Sequence, residues 1–170
     1  MPVSFAMTKK EFNSCVDQYA DGVYRFVLKN TGDEDMAQDI VQESFTRMWQ
    51  KVSDIAYDKS KSYLFTTAYH TMIDLIRKEE RLTRLEDWHH NSEAEFNTYS
   101  DLKEVLNKAL STLPEKQRTV VLLRDYEGYS YDEIGGITGL SEAQVKVYIF
   151  RARKSLRNYI TKIDYVLEDK

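Results

Sequence analysis

Gln144, Lys146, Val147, Phe150, Arg151, Arg153 and Lys154 fall within eleven residues, and together they have the chemistry to read duplex DNA. An amide presents donors and an acceptor to a base edge, guanidinium and ammonium groups meet phosphates, and exposed carbon suits a thymine methyl. If Val145 faces a core, helical spacing brings Ile149, Ala152, Leu156 and Tyr159 or Ile160 to the same side. The opposite side then carries Ala143, Val147, Phe150, Arg151 and Lys154, flanked by Gln144, Lys146, Arg153 and Arg157. From Glu142 to Lys162 there are six basic residues and one acidic, a balance of +5 in a chain whose total is -4. Charge is therefore sorted along the chain. Most basic helix faces are merely solvated; the two apolar residues among these cations favour a macromolecular contact instead.

The elements that must position these residues are two short helices joined by a tight turn. Ser130 with Glu133, and Ser141 with Gln144, fit capping boxes, and Gly139-Leu140 supplies the turn between them. This is a helix-turn-helix pattern whose second helix suits a major groove. Upstream, Ser100 is expected to cap a helix over 101–110, and Pro114 to be the first residue of a helix over 114–128. Val120, Val121, Leu122 and Leu123 give that helix a core face, and Gly128 stops it.

Three further helices are expected in the N-terminal half. Thr8 with Glu11 opens the first, which runs to about Lys29 with Phe12, Val16, Tyr19, Val23, Phe26 and Val27 inward. Asn30-Thr31-Gly32 breaks it, and Asp33 starts the second, with Ala37, Ile40, Val41, Ser44, Phe45 and Met48 inward. Asp39, Gln42, Glu43 and Thr46 share its outer face. Asp33, Glu34 and Asp35 complement the helix dipole, but Asp39 and Glu43 lie beyond the first turn. They are either ordinary solvating charge or a docking face for a basic partner. The third helix spans Ser60 to Arg84, with Leu64, Phe65, Ala68, Met72, Leu75 and Ile76 as its core stripe. Tyr63, Thr66, Thr67, His70, Asp74, Arg77 and Arg81 stand on the other face. Aromatic, hydroxyl and basic groups so interleaved suit unstacked single-stranded DNA; the plainer alternative is a polar outer face.

At 170 residues, 42% hydrophobic, with six glycines and two prolines, the chain reads as folded and mostly helical, with one ordinary domain or two small ones. No stretch approaches the roughly 20 apolar residues of a membrane span, and no signal-peptide pattern opens the sequence, so a cytoplasmic location without membrane insertion is expected. Cys15 is the only cysteine, which rules out an internal disulfide and predicts a small apolar role in the first helix. Residues 85–99 are polar, acidic and without period, as expected of a linker. Its His89-His90 pair does not converge easily on one metal ion. No nucleophile–base pair, phosphate-binding glycine loop or metal-ligand set is visible, so neither an enzyme nor a cofactor is expected.

Three blocks taken together resemble the extracytoplasmic-function (ECF) sigma factors, the small members of the sigma-70 family. They are DEDMAQDIVQESFTRMWQ at 33–50, YLFTTAYHTMIDLIRKEER at 63–81 and ALSTLPEKQRTVVLLRDYEGYSYDEIGGITGLSEAQVKVYIFRARKSLR at 109–157. The resemblance implies an all-α chain of two small helical domains, 8–84 and 100–163, joined by a flexible linker at 85–99, the second a helix-turn-helix. It implies a subunit that binds core RNA polymerase and directs it to promoter DNA, with Asp39, Gln42 and Glu43 on the polymerase's clamp helices. Tyr63, Thr66, His70, Asp74, Arg77 and Lys78 would hold the -10 strand. Gln144, Lys146, Val147, Phe150 and Arg151 would read the -35 duplex, with Arg153 and Lys154 mainly on phosphates. An anti-sigma factor is a further implied partner.

Two departures from the family pattern stand out. Tyr69-His70 replaces a basic residue followed by Asn, which bears on the -10 preference. Gly135-Gly136 replaces an alanine and polar pair, which predicts a loose first helix in the helix-turn-helix. The competing readings are a dimeric helix-turn-helix repressor or activator on duplex operator DNA, and a helical adaptor whose basic helix is only solvated.

Overall fold

Backbone hydrogen bonding fixes the ends of most elements in the computed structural model, which describes residues 6–86 and 102–168. Helix α1, Lys9–Thr31, opens on a capping box in which Thr8 Oγ1 accepts from Glu11 N at 3.1 Å and Thr8 N donates to Glu11 Oε2 at 2.9 Å. It runs two residues past the expected end because Asn30 and Thr31 turn their side chains back onto the carbonyls of Phe26 and Val27. Gly32, at φ 69°, then takes the left-handed C-cap. Asp33 caps α2, Glu34–Gln50, by accepting from Met36 N at 3.0 Å. A short 3₁₀ turn at Tyr57–Lys59 leads into α3, Ser60–Glu86.

The C-terminal half holds α4 (Leu102–Ser111), α5 (Glu115–Val121), α6 (Tyr131–Thr138) and α7 (Glu142–Glu168). Ser100, the expected cap of α4, lies outside the described residues. Pro114 sits at the N-cap of α5 rather than inside the helix: its ψ of 147° is extended and only its carbonyl joins the helix, accepting from Arg118 N. The helix expected as far as Gly128 widens after Val121 into a π-turn over Leu122–Tyr126, closed by Glu127 N on Leu122 O at 3.2 Å.

Each half buries an apolar stripe of every helix. Val23, Phe26, Ile40, Met48, Leu64 and Met72 centre the α1–α3 bundle; Leu110, Leu123, Ile134, Ile137, Val145 and Ile149 centre the second. Cys15 is fully buried, its thiol 3.9 Å from the Met7 sulfur, and burial raises its pKa. The inward face of α3 differs from the expected stripe. Tyr69 and Ile73 are buried whereas Leu75 and Ile76 are only half-buried; α3 is packed by α6 as well as by α1 and α2.

The two halves also share one continuous core. Phe65 of α3 meets Tyr129 edge to face at 5.4 Å, and Thr119 Oγ1 bonds Asn30 Oδ1 at 3.2 Å, both residues being buried. No periodicity in the sequence foretold this docking.

The two glycines of α6 differ in kind. A Cβ on Gly135 would lie 2.8 Å from the Leu140 carbonyl oxygen, whereas one on Gly136 would meet open space. Gly135 is thus needed for the close turn and Gly136 is not. Gly136→Ala is expected to stabilise the chain by about 0.5–1 kcal/mol, and Gly135→Ala to destabilise it because backbone must move. Urea denaturation of the two variants checks the opposite signs.

Candidate nucleic-acid interface

The turn between α6 and α7 orients the basic helix. Ser130 caps α6 with both bonds of its capping box to Glu133, and Gly139, at φ 77°, ends it with its N–H on Gly135 O at 2.8 Å. Val145, Ile149 and Ala152 then bury one side of α7, with Leu156 packed beside them. The other side is turned to solvent: Phe150 is 64% exposed and Val147 45%. Two large apolar side chains standing among cations cost nothing to strip of water in a groove, which is what a thymine methyl requires.

The polar residues on that face are not equivalent. Gln144 takes part in a capping box, accepting from Ser141 N at 3.0 Å while its own N–H bonds Ser141 Oγ at 3.2 Å. Its side-chain carbonyl is therefore engaged, and its amide N–H₂ is the group left for a base edge. Lys146 pairs with Glu142 at 3.2 Å and lies 5.6 Å from the Tyr131 ring, over which Arg124 also stacks at 4.6 Å. Arg153 is held by Asp125 through Nε at 3.0 Å and Nη2 at 2.5 Å, and this bond keeps its guanidinium still more firmly protonated. Arg151 and Lys154 are exposed and have no carboxylate partner among the described residues.

On α3, His70, Asp74, Arg77 and Lys78 are exposed and Tyr63 and Thr66 half-buried, so the six residues share a continuous outer surface. Tyr69 lies beneath it, its ring 5.3 Å from that of His70, and burial raises its phenol pKa. Tyr69 thus supports the His70 imidazole and is itself turned inward.

On α2, Asp39, Gln42 and Glu43 are all exposed; Glu43 is bridged by Arg47 at 2.7 Å, while Asp39 has no such partner among the described residues. Trp49, unflagged in the sequence, stands 47% exposed one helical step beyond Thr46 on the same stripe, its ring 4.9 Å from Phe12. Extending the i, i+3, i+7 spacing from Asp39 would have found it. Among the described residues no group of three or more potential metal ligands occurs, and no helix is long and apolar enough to cross a membrane. His89 and His90 lie outside the described residues.

Family models for Sigma-70 region 2 and Sigma-70 region 4 match residues 15–82 and 103–156. ECF RNA polymerase sigma factor SigM of Bacillus subtilis is 32% identical over 144 residues, covering 82% of this chain and 88% of the relative. RNA polymerase sigma factor SigV of the same organism is 30% identical over 160 residues, covering 92% and 95%. Among solved structures the chain is similar to CnrH in complex with the cytosolic domain of CnrY, with a TM-score of 0.69, 25% identity and coverage of 91% and 90%. It also shares the fold of the sigma factor RpoE in complex with the anti-sigma factor NepR from Bartonella quintana, with a TM-score of 0.76, 24% identity and coverage of 89% and 98%.

The double role of Gln144 separates folding from contact. Gln144→Glu keeps an acceptor for Ser141 N and is expected to leave stability within about 0.5 kcal/mol, because a carboxylate also suits this helix start. Gln144→Ala removes the cap bond and is expected to cost about 0.5–1 kcal/mol. Thermal unfolding of the two variants checks the order.

Proposed function

The chain belongs to the ECF branch of the sigma-70 family, and on that premise we propose that it binds core RNA polymerase and directs it to promoters whose -10 strand and -35 duplex it reads. The observation that carries this reading is the presence of three chemically distinct exposed faces in one chain. They are acidic on α2, mixed aromatic and basic on α3, and basic with exposed carbon on α7. A repressor needs only the last of these. The match to region 2 across 15–82 also takes up most of the segment that a repressor would need as an effector domain.

In this reading residues 8–84 form the polymerase-binding and -10 domain and residues 100–163 the -35 domain. Asp39, Gln42 and Glu43 meet the clamp helices, and Trp49 adds an apolar anchor at the end of the same stripe. Tyr63, Thr66, His70, Asp74, Arg77 and Lys78 hold the separated -10 strand, where stacking on rings and phosphate pairing favour the open form over the duplex. Gln144, Lys146, Val147, Phe150 and Arg151 meet -35 bases, and Lys154 meets phosphates. Arg153 reaches phosphate with the guanidinium edge that Asp125 does not occupy. Catalysis rests with the polymerase, in the cytoplasm, and an anti-sigma factor holds the chain inactive until a signal arrives. The sigma factor RpoE of Bartonella quintana is seen with such a partner, the anti-sigma factor NepR.

Mixing the purified chain with core polymerase should give run-off transcripts from discrete genomic sites that vanish without it; symmetric footprints on duplex DNA in the absence of polymerase would overturn the reading. Asp39→Lys with Glu43→Lys is expected to weaken core binding at least tenfold without changing helix content, as measured by fluorescence titration. Arg151→Ala should weaken -35 duplex binding by about 1–3 kcal/mol and relax preference at the base it meets. Competition with point-substituted duplexes tests that effect.

A further inference from the structure

We propose that the cleft between α1 and α4 binds a phosphorylated small molecule carrying a flat ring, the chemistry of a nucleotide. None of the residues assigned above to polymerase or DNA lines it, so it is a separate site.

The cleft has a volume of about 1130 Å³ and is walled by the C-terminal half of α1, by α4, by Arg118 of α5 and by Tyr126 of the π-turn. Small-molecule sites span roughly 300–1,000 Å³, so there is room for a whole nucleotide rather than for one ion. Four cations stand along it, Arg25, Lys29, Lys103 and Arg118, and among the described residues no carboxylate lines it. Arg25 is answered by Glu127 at 3.0 Å. Lys29 and Arg118 have no such partner among the described residues. Lys29 Nζ donates to Asn107 Oδ1 at 3.3 Å and lies 4.8 Å from the centre of the Tyr126 ring, both neutral groups. Burial lowers its pKa, and the charges of Lys103 and Arg25 lower it further. Arg118 donates from Nη1 to the Leu113 carbonyl at 3.2 Å, but its Nε is buried without a hydrogen-bond partner. Burial lowers its pKa as well, against the opposing charge of Glu115.

Like charges gathered in a partly dehydrated cleft repel one another. An anion between them reverses the sign of that interaction, and a phosphate has enough acceptor oxygens to take charge-assisted bonds from several cations at once. The rest of the wall is not what a bare anion needs. Tyr24 and Tyr126 supply rings and Leu106 supplies carbon, against which a flat base can stack whatever its sequence identity. Cations for phosphate beside rings for a base are the two halves of nucleotide recognition.

The test titrates the purified full chain with ATP, inorganic pyrophosphate and adenosine by isothermal titration calorimetry, in metal-free buffer at constant ionic strength. ATP should bind once per chain, pyrophosphate about tenfold more weakly for want of a ring, and adenosine without saturation. Lys29→Gln, which keeps a donor for Asn107, combined with Lys103→Gln should weaken ATP binding by about tenfold or more. Lys9→Gln with Lys10→Gln removes the same charge roughly 30 Å from Lys29, at about 1.5 Å per residue along α1, and should leave the affinity unchanged. Tyr126→Leu should bring ATP down to the affinity of pyrophosphate and leave pyrophosphate itself unaffected, a split that misfolding does not produce. Circular dichroism verifies that the helices of each variant are intact. No saturable binding of ATP by the wild-type chain, ATP bound no more tightly than pyrophosphate, equal losses in the two lysine pairs, or equal losses of ATP and pyrophosphate in Tyr126→Leu would each overturn the proposal.

Discussion

The close crossing of α6 and α7 constrains everything the C-terminal half can do. Gly135 has no room for a Cβ against the Leu140 carbonyl, and Gly139 takes a left-handed conformation that a side chain would strain. With the turn so fixed, Val145, Ile149 and Ala152 can bury against α5 and α6 in only one rotation of α7. That rotation is what sends Val147, Phe150, Arg151 and Lys154 outward. A backbone restriction of a few residues thereby sets the chemistry of a surface a full helix long.

Local charge matters more here than the total. The chain is acidic overall, at -4, yet α7 is basic and the outer face of α2 is acidic. Opposite fields on separate faces let one small protein approach both a polyanion and a basic protein surface. Internal ion pairs refine this sorting. Asp125 holds Arg153 and Glu142 meets Lys146 on the basic helix, while Arg47 bridges Glu43 on the acidic one. Arg151, Lys154 and Asp39, which have no carboxylate or cationic partner among the described residues, leave their charge open to another molecule.

α3 serves two masters. Its solvent face carries His70, Asp74, Arg77 and Lys78, while Phe65, Tyr69 and Ile73 are taken up by packing from more than one side. The helix that displays this mixed aromatic and basic surface therefore also receives the C-terminal half, through Phe65 and Tyr129. Docking of the halves and presentation of that surface are mechanically linked.

The sequence by itself determined the helices, their caps and the chemistry of their outer faces, because these follow from residues three or four apart. Thr8–Glu11, Ser130–Glu133 and Ser141–Gln144 all close as capping boxes, and the inward and outward sides of α7 fall where period 3.6 puts them. Tertiary structure alone decided what depends on partners far along the chain. Arg25 and Glu127 are 102 residues apart and Asn30 and Thr119 are 89 apart, and no local rule links such positions. For the same reason the burial of Tyr69 and Ile73, the need for Gly135 but not Gly136, and the prior engagement of Gln144 and Arg153 were invisible until the helices were packed. Periodicity records which side of a helix is apolar, but only packing says how many neighbours will cover it.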